Sequence, residues 1–209
     1  MKGLVLKDFL NLRKMGLTFL LLIALFAVIF GMQGDYSFVG VIIIPFCLMV
    51  VTTMSYDDVA GWNAYAVTMP VSRRDIVLSK YCTMVLFCLL GVMVGGAMMV
   101  VLSLFGKTPL TLDSLWVLGG ILAVALVFGS LMIPLIYQFG AEKARFVLIM
   151  VALAPTALVI GAKAIFGPID ITFPVMVGRM MPAILTVLTV VIVGISYAIS
   201  RRIFARKEL

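Results

Sequence analysis

The residue types that carry covalent chemistry are sparse in this chain and poorly placed for it. Histidine is absent, which removes the Ser/His/Asp and Cys/His arrangements of nucleophilic catalysis and most metal sites. Cys47, Cys82 and Cys88 all fall in apolar runs without C-x-x-C spacing, so they read as small hydrophobes. Gly106-Lys107-Thr108 looks like the end of a phosphate-binding loop, but that motif needs a glycine five positions before Gly106, and Val101 stands there. What remains is non-covalent. Asp57, Asp58, Arg73, Arg74 and Asp75 crowd into Ser55–Tyr81 with Lys80, and one of the two tryptophans, Trp62, lies among them. Charges and an aromatic ring at that density can cap helices, hold an anion or dock a partner.

The elements that position this segment are apolar. Of 209 residues, 64% are hydrophobic and 12% charged, and the mean hydropathy is +1.26. A soluble domain carries about a quarter of its residues as charges. The chain is therefore read as an all-α integral membrane protein forming a single transmembrane domain over 1–209. A crossing helix takes roughly 20 apolar residues, and six stretches qualify: Leu17–Met32, Phe38–Met54, Tyr81–Phe105, Leu115–Tyr137, Phe146–Phe166 and Met180–Ser200. The domain divides into an interfacial helix (1–15), spans 1–2 (16–54), a polar coupling region (55–80), spans 3–4 (81–137), a second polar loop (138–145), spans 5–6 (146–200) and a tail (201–209). The basic start followed by an apolar run is read as retained, because Gly34-Asp35-Tyr36 makes a poor cleavage site.

An even number of spans puts both termini on one side. Those termini and the loops 55–80 and 138–145 hold thirteen cations: Lys2, Lys7, Arg13, Lys14, Arg73, Arg74, Lys80, Lys143, Arg145, Arg201, Arg202, Arg206 and Lys207. The other side holds three: Lys107, Lys163 and Arg179. By the positive-inside rule both termini are cytoplasmic. The net charge of +7 then reports orientation in a membrane and not a nucleic-acid partner. The middles of the spans are free of charge, which disfavours proton- or ion-coupled transport. Energy for any work done by this chain must come from outside it.

At the N-terminus, Lys7, Asn11 and Lys14 fall on one helical face and Val5, Phe9 and Leu12 on the other, the pattern of a helix lying in the lipid interface. Lys7-Asp8 by itself carries no chemistry. In the polar segment, Asp57 and Asp58 suit the N-terminus of a short helix. Val59, Trp62, Ala66 and Met69 would form its apolar face, with Tyr65 at the edge and Pro70 ending it. Ser72 and Asp75 then make an Asp variant of a capping box for a helix that runs on into span 3. Arg73 and Arg74 sit in that helix's first turn, where the dipole disfavours cations, so an anionic group, either lipid headgroup or partner surface, is expected to offset them. Trp62 and Tyr65 read either as interfacial anchors or as knobs for a partner's pocket. Gly91, Gly95, Gly96, Gly119, Gly120 and Gly129 read as sites of close helix approach.

Taken in order, Met1-Lys-Gly-Leu, Lys7-Asp8, Asp57-Asp58, Trp62, Tyr65, Pro70-Val-Ser-Arg73, Val77, Ser79-Lys80-Tyr81 and Gly140-Ala-Glu142-Lys143-Ala-Arg145 resemble the short permease subunits of type-2 ATP-binding-cassette exporters. The resemblance runs through nearly the whole chain, toward the branch of Gram-positive antimicrobial-peptide and phenol-soluble-modulin exporters. It implies a six-helix half-transporter in a bacterial plasma membrane, pairing with a second permease copy or a paralogous permease. It also implies a separate ATPase subunit that carries the ATP and magnesium, so this chain is no enzyme and holds no cofactor. The coupling element would be Asp57, Asp58, Trp62, Tyr65, Pro70, Arg73 and Arg74. Glu142, Lys143 and Arg145 would be a second contact, and the cargo an amphipathic peptide or hydrophobic compound. The segment Gly167–Val177 is too short for the large outer region of the lipid-extruding members. The alternative is a membrane anchor or sensor that moves nothing and sequesters a ligand.

Overall fold

A backbone that passes through lipid must satisfy its N–H and C=O groups within itself, and the helix does so locally. The computed structural model describes residues 2–12, 18, 21, 25, 26, 29, 38–104, 112–144, 146 and 175–206, and its elements are helices. They are α1 (Lys2–Leu12), α2 (Phe38–Val59), α3 (Trp62–Thr68), α4 (Arg73–Leu104), α5 (Leu112–Phe139) and α6 (Val175–Arg206). Four of them, α2, α4, α5 and α6, are long and apolar enough to cross a membrane. Most of the expected spans Leu17–Met32 and Phe146–Phe166 lies outside the described residues, as does the Gly106–Thr108 turn.

Most expected boundaries inside the described region fall short of the helix that contains them, although Phe38 does begin α2. The 32 residues of α4 and of α6 extend about 48 Å at 1.5 Å per residue, against roughly 30 Å of hydrocarbon. Helical hydrogen bonding continues into the polar flanks, so apolar runs mark the lipid-crossing part of a helix and not its ends. The tail expected from residue 201 is helical to Arg206. The second polar loop is mostly helix as well. α5 runs to Phe139, Gly140 breaks it with a φ of 81°, and helix resumes over 141–144.

α2 is the central element, packed on α4 and α5. α5 also packs on α4 and α6, and α1 lies across α2 and α4. Glycine sets the closest approach. A Cβ on Gly91 would stand 3.0 Å from Phe46 Cβ and 3.2 Å from the Ile43 Cα, so α4 meets the backbone of α2 there. On α5, a Cβ at Gly129 would fall 2.6 Å from Cys47 Sγ and 2.8 Å from Met84 Sδ. Gly119 and Gly120 differ from expectation: nothing lies within 4 Å, and they line a groove with Trp116, Val117, Leu185 and Thr186. Val39, Ile42, Ile43, Val50, Met84, Ile133 and Ile136 fill the core. Met93, Leu104, Val124, Val187 and Val190 face outward, as helix surfaces in lipid do.

A chain of hydroxyls joins three of the spans. Ser196 Oγ donates to the Ser130 carbonyl in a very short contact, so the Tyr81 hydroxyl, 2.6 Å away, must donate to Ser196. Ser200, 2.9 Å from the same tyrosyl oxygen, completes the chain as its donor. Every member then has an acceptor, which is what makes a polar run tolerable between apolar helices.

Candidate functional site

The charged segment gathers at one end of the bundle, together with α1, the last turn of α6 and residues 140–144. Asp57 and Asp58 are not at a helix N-terminus as expected. They close α2, where the dipole disfavours an anion. Each carboxylate is held by something else.

Asp57 lies in a buried cluster of four charges. Lys7 Nζ is 2.5 Å from its Oδ1 and Lys80 Nζ is 2.6 Å from its Oδ2. Lys80 also reaches both oxygens of Asp8, at 2.7 and 2.9 Å, and the Thr83 hydroxyl donates to Asp8 at 3.2 Å. Lys7 stands 3.5 Å from Asp8 Oδ1. Asp8, Asp57 and Lys80 are each no more than 4% exposed, yet two cations and two anions leave the cluster neutral. Buried charges persist only with such pairing. Lys7-Asp8, read from sequence as inert, is thus half of the site. The expected faces of α1 change with it: Lys7, Asp8 and Leu12 turn inward, while Leu6, Phe9 and Leu10 are exposed, with Phe9 stacked on Phe87. The signal was present in the spacing, since Asp8 shares the i, i+4, i+8 face with Leu4 and Leu12.

Asp58 ties the next two pieces together. Its Oδ1 accepts from Asn63 Nδ2 at 3.2 Å, and its Oδ2 accepts from the Ala141 backbone N–H at 3.3 Å, at the start of helix 141–144. An anion suits that helix start. One side chain therefore connects α2, α3 and the second polar loop.

After α2 the chain reverses through Ala60-Gly61. Gly61 has φ 62°, a left-handed conformation that glycine adopts without strain, and it caps α3. Met69, extended at φ −79° and ψ 159°, ends α3 as a residue before proline must, and Pro70 follows. The Ser72–Asp75 box is present: the Asp75 N–H donates to Ser72 Oγ at 3.1 Å, and Ser72 Oγ donates to Asp75 Oδ2 at 2.8 Å. Arg73 reaches the end of α6. Its Nη1 donates to the Phe204 and Ala205 carbonyls at 3.2 and 3.0 Å, capping the negative C-terminal end of α6. Arg74 is exposed.

The predicted apolar face of the short helix divides. Ala66 is buried, and Trp62 packs on the core with Lys7 Nζ 4.3 Å above its ring, a cation–π contact. Tyr65, tilted against Trp62, is exposed, and Val59 at the end of α2 is 90% exposed. Val59 lies between two surface grooves. One, of about 690 Å³, is lined by Lys7, Leu10, Asn11, Tyr56 and Trp62, and the other, of about 630 Å³, by Asp58, Phe139, Glu142 and Lys143. Glu142 and Lys143 are exposed there, and Arg145 lies outside the described residues.

Such an arrangement can transmit force but offers no reacting centre. An apolar knob, Val59 with Tyr65, projects from a turn that buried ion pairs brace against α1, α2 and α4. Among the described residues no three His, Cys, Asp or Glu side chains are placed to hold a metal ion. Residues 3–205 match the family described as ABC-2 family transporter protein. No curated protein matches the chain.

Proposed function

The chain belongs to the ABC-2 transporter family, and from that premise we propose that it is the membrane half of an exporter whose ATPase docks on the Val59–Tyr65 knob. Membership makes the chain a membrane permease of an ABC transporter, not catalytic itself, and implies an ATPase partner. ATP and magnesium are bound by that partner. The observation that carries the docking site is Val59: a 90% exposed aliphatic side chain at the tip of a braced turn, flanked by two grooves that can accept the partner's ridges. Glu142, Lys143 and Arg145 supply the second contact. The basic side, with both termini, faces the cytoplasm of a bacterial cell, by the thirteen-to-three division of cations.

Two permease subunits, identical or paralogous, form the path, and the cargo is an amphipathic peptide or hydrophobic compound moved out of the cell or membrane. The resemblance of the polar segment to peptide exporters supports this, as does a chain rich in adaptable methionine, 15 in all. The test is co-purification with the ATPase encoded beside this chain. Wild type is expected to bring it down stoichiometrically, and Val59→Arg to retain no more than about a tenth of it while melting as wild type, since a docking knob contributes to binding and not to folding. If wild type binds no ATPase, the reading fails.

A further inference from the structure

Behind the knob, among the described residues, two polar atoms are buried without a hydrogen-bond partner: the Tyr137 hydroxyl and Asp57 Oδ2. The first is a donor and the second an acceptor. Lys80 touches Asp57 Oδ2 at 2.6 Å as an ion pair, but off the line that a hydrogen bond needs. Both residues line the same narrow crevice, with Met54, Asp58, Asn63 and Lys80, and it is too narrow to admit a water molecule. Tyr137 is 3% exposed, and its ring packs on Phe204 at 5.1 Å, so its hydroxyl has no route to solvent. Burying a hydroxyl without a partner is costly, and native proteins rarely do it without a reason.

The surroundings supply one. Asp57 stands on the last turn of α2, two residues before Val59, so any push on the knob bears directly on its carboxylate. Tyr137 stands on the last turns of α5, braced by α6 through Phe204. We propose that Tyr137 is a coupling residue: when the docked ATPase displaces the end of α2, the Tyr137 hydroxyl donates to Asp57 Oδ2, an arrangement absent from the present state. The contact takes hold as Lys80 releases Asp57 and keeps Asp8, which it already bonds at 2.7 and 2.9 Å. The chain would thus hold two packings of one charged cluster, and the donor left idle in one is used in the other, which biases the pair of states toward switching. This rests on the ATPase docking at the knob, as proposed above.

Tyr137→Phe tests it, because a merely structural tyrosine and a switching one predict opposite results. The substitution removes an unpartnered buried hydroxyl and keeps the ring. Wild type and variant, each co-purified with the ATPase encoded beside the chain, are compared by thermal midpoint. Amide exchange across 55–70 is also followed, with and without Mg-ATP plus vanadate. The expected variant binds the ATPase as wild type does and melts at the same or a higher temperature. It shifts to the nucleotide-induced exchange pattern with an equilibrium constant about tenfold lower, the effect of removing one hydrogen bond to a charged group from the second state alone. A wild-type nucleotide response in the variant overturns the proposal, and so does a lowered midpoint, which would mean that the hydroxyl is already paired. Failure of wild type to bind the ATPase overturns the docking reading, and this proposal with it.

Discussion

Asp8 and Lys80 meet across 72 positions of sequence, and neither charge has water to fall back on. Removing one member of a buried pair leaves the other uncompensated, at a cost of about 3–5 kcal/mol. Asp8→Ala and Lys80→Ala should each destabilise the fold by that much, seen as a lowered thermal midpoint. Asp8→Leu combined with Lys80→Met should recover most of it, because the remaining Lys7–Asp57 pair is still neutral. Damage in the double variant equal to the sum of the two singles, read by thermal unfolding in detergent, would show that Asp8 and Lys80 do not act as a pair. Sequence reading found the partners Asp57 and Lys80 as an unusual density of charge, but it could not join either to Asp8. Neighbours along a helix can be read from spacing, whereas a contact between α1 and α4 depends on how two helices lie together. The same limit applied to Arg73. Its place in a first turn led to the expectation of a lipid headgroup or acidic partner surface beside it, and spacing gave no sign of the Phe204 and Ala205 carbonyls it bonds at the end of α6.

Within the helices, α5 holds its own control experiment. Gly129 faces two sulfur atoms too close for any side chain, whereas Gly119 and Gly120 face open space. Gly129→Ala should destabilise by about 1–3 kcal/mol through overpacking. Gly120→Ala should be neutral or stabilise by up to about 1 kcal/mol, from the better helix propensity of alanine. Thermal midpoints of the two variants decide it, and equal effects would mean that the α2–α5 approach is not set at Gly129. Helix existence was legible in the sequence because long apolar runs admit little else. Helix ends were not, since nothing in composition marks where backbone bonding stops once polar residues begin. The reversal at Gly61 shows the difference: the segment was read as helix, turn and helix, but Asp57, Asp58 and Val59 finish α2, and the short helix begins only at Trp62.

At the scale of the molecule, α1, the end of α2, α3, the start of α4 and the ends of α5 and α6 converge on one polar end. Our reading of that end as cytoplasmic predicts that green fluorescent protein fused to either terminus will fluoresce in cells. Fluorescence at one terminus alone would break the even number of spans. The capped start of α4 belongs to this end, and the helix contains no proline from Arg73 to Leu104, whereas α2 and α5 carry Pro45 and Pro134. α4 is in effect a lever. Lys80 and Arg73 fix its short arm to the charged cluster and to α6, and it extends about 48 Å without a proline. A tilt of about 5° at the polar end would carry its far end about 4 Å sideways, enough to open or close a gap between helices that pack 8–10 Å apart.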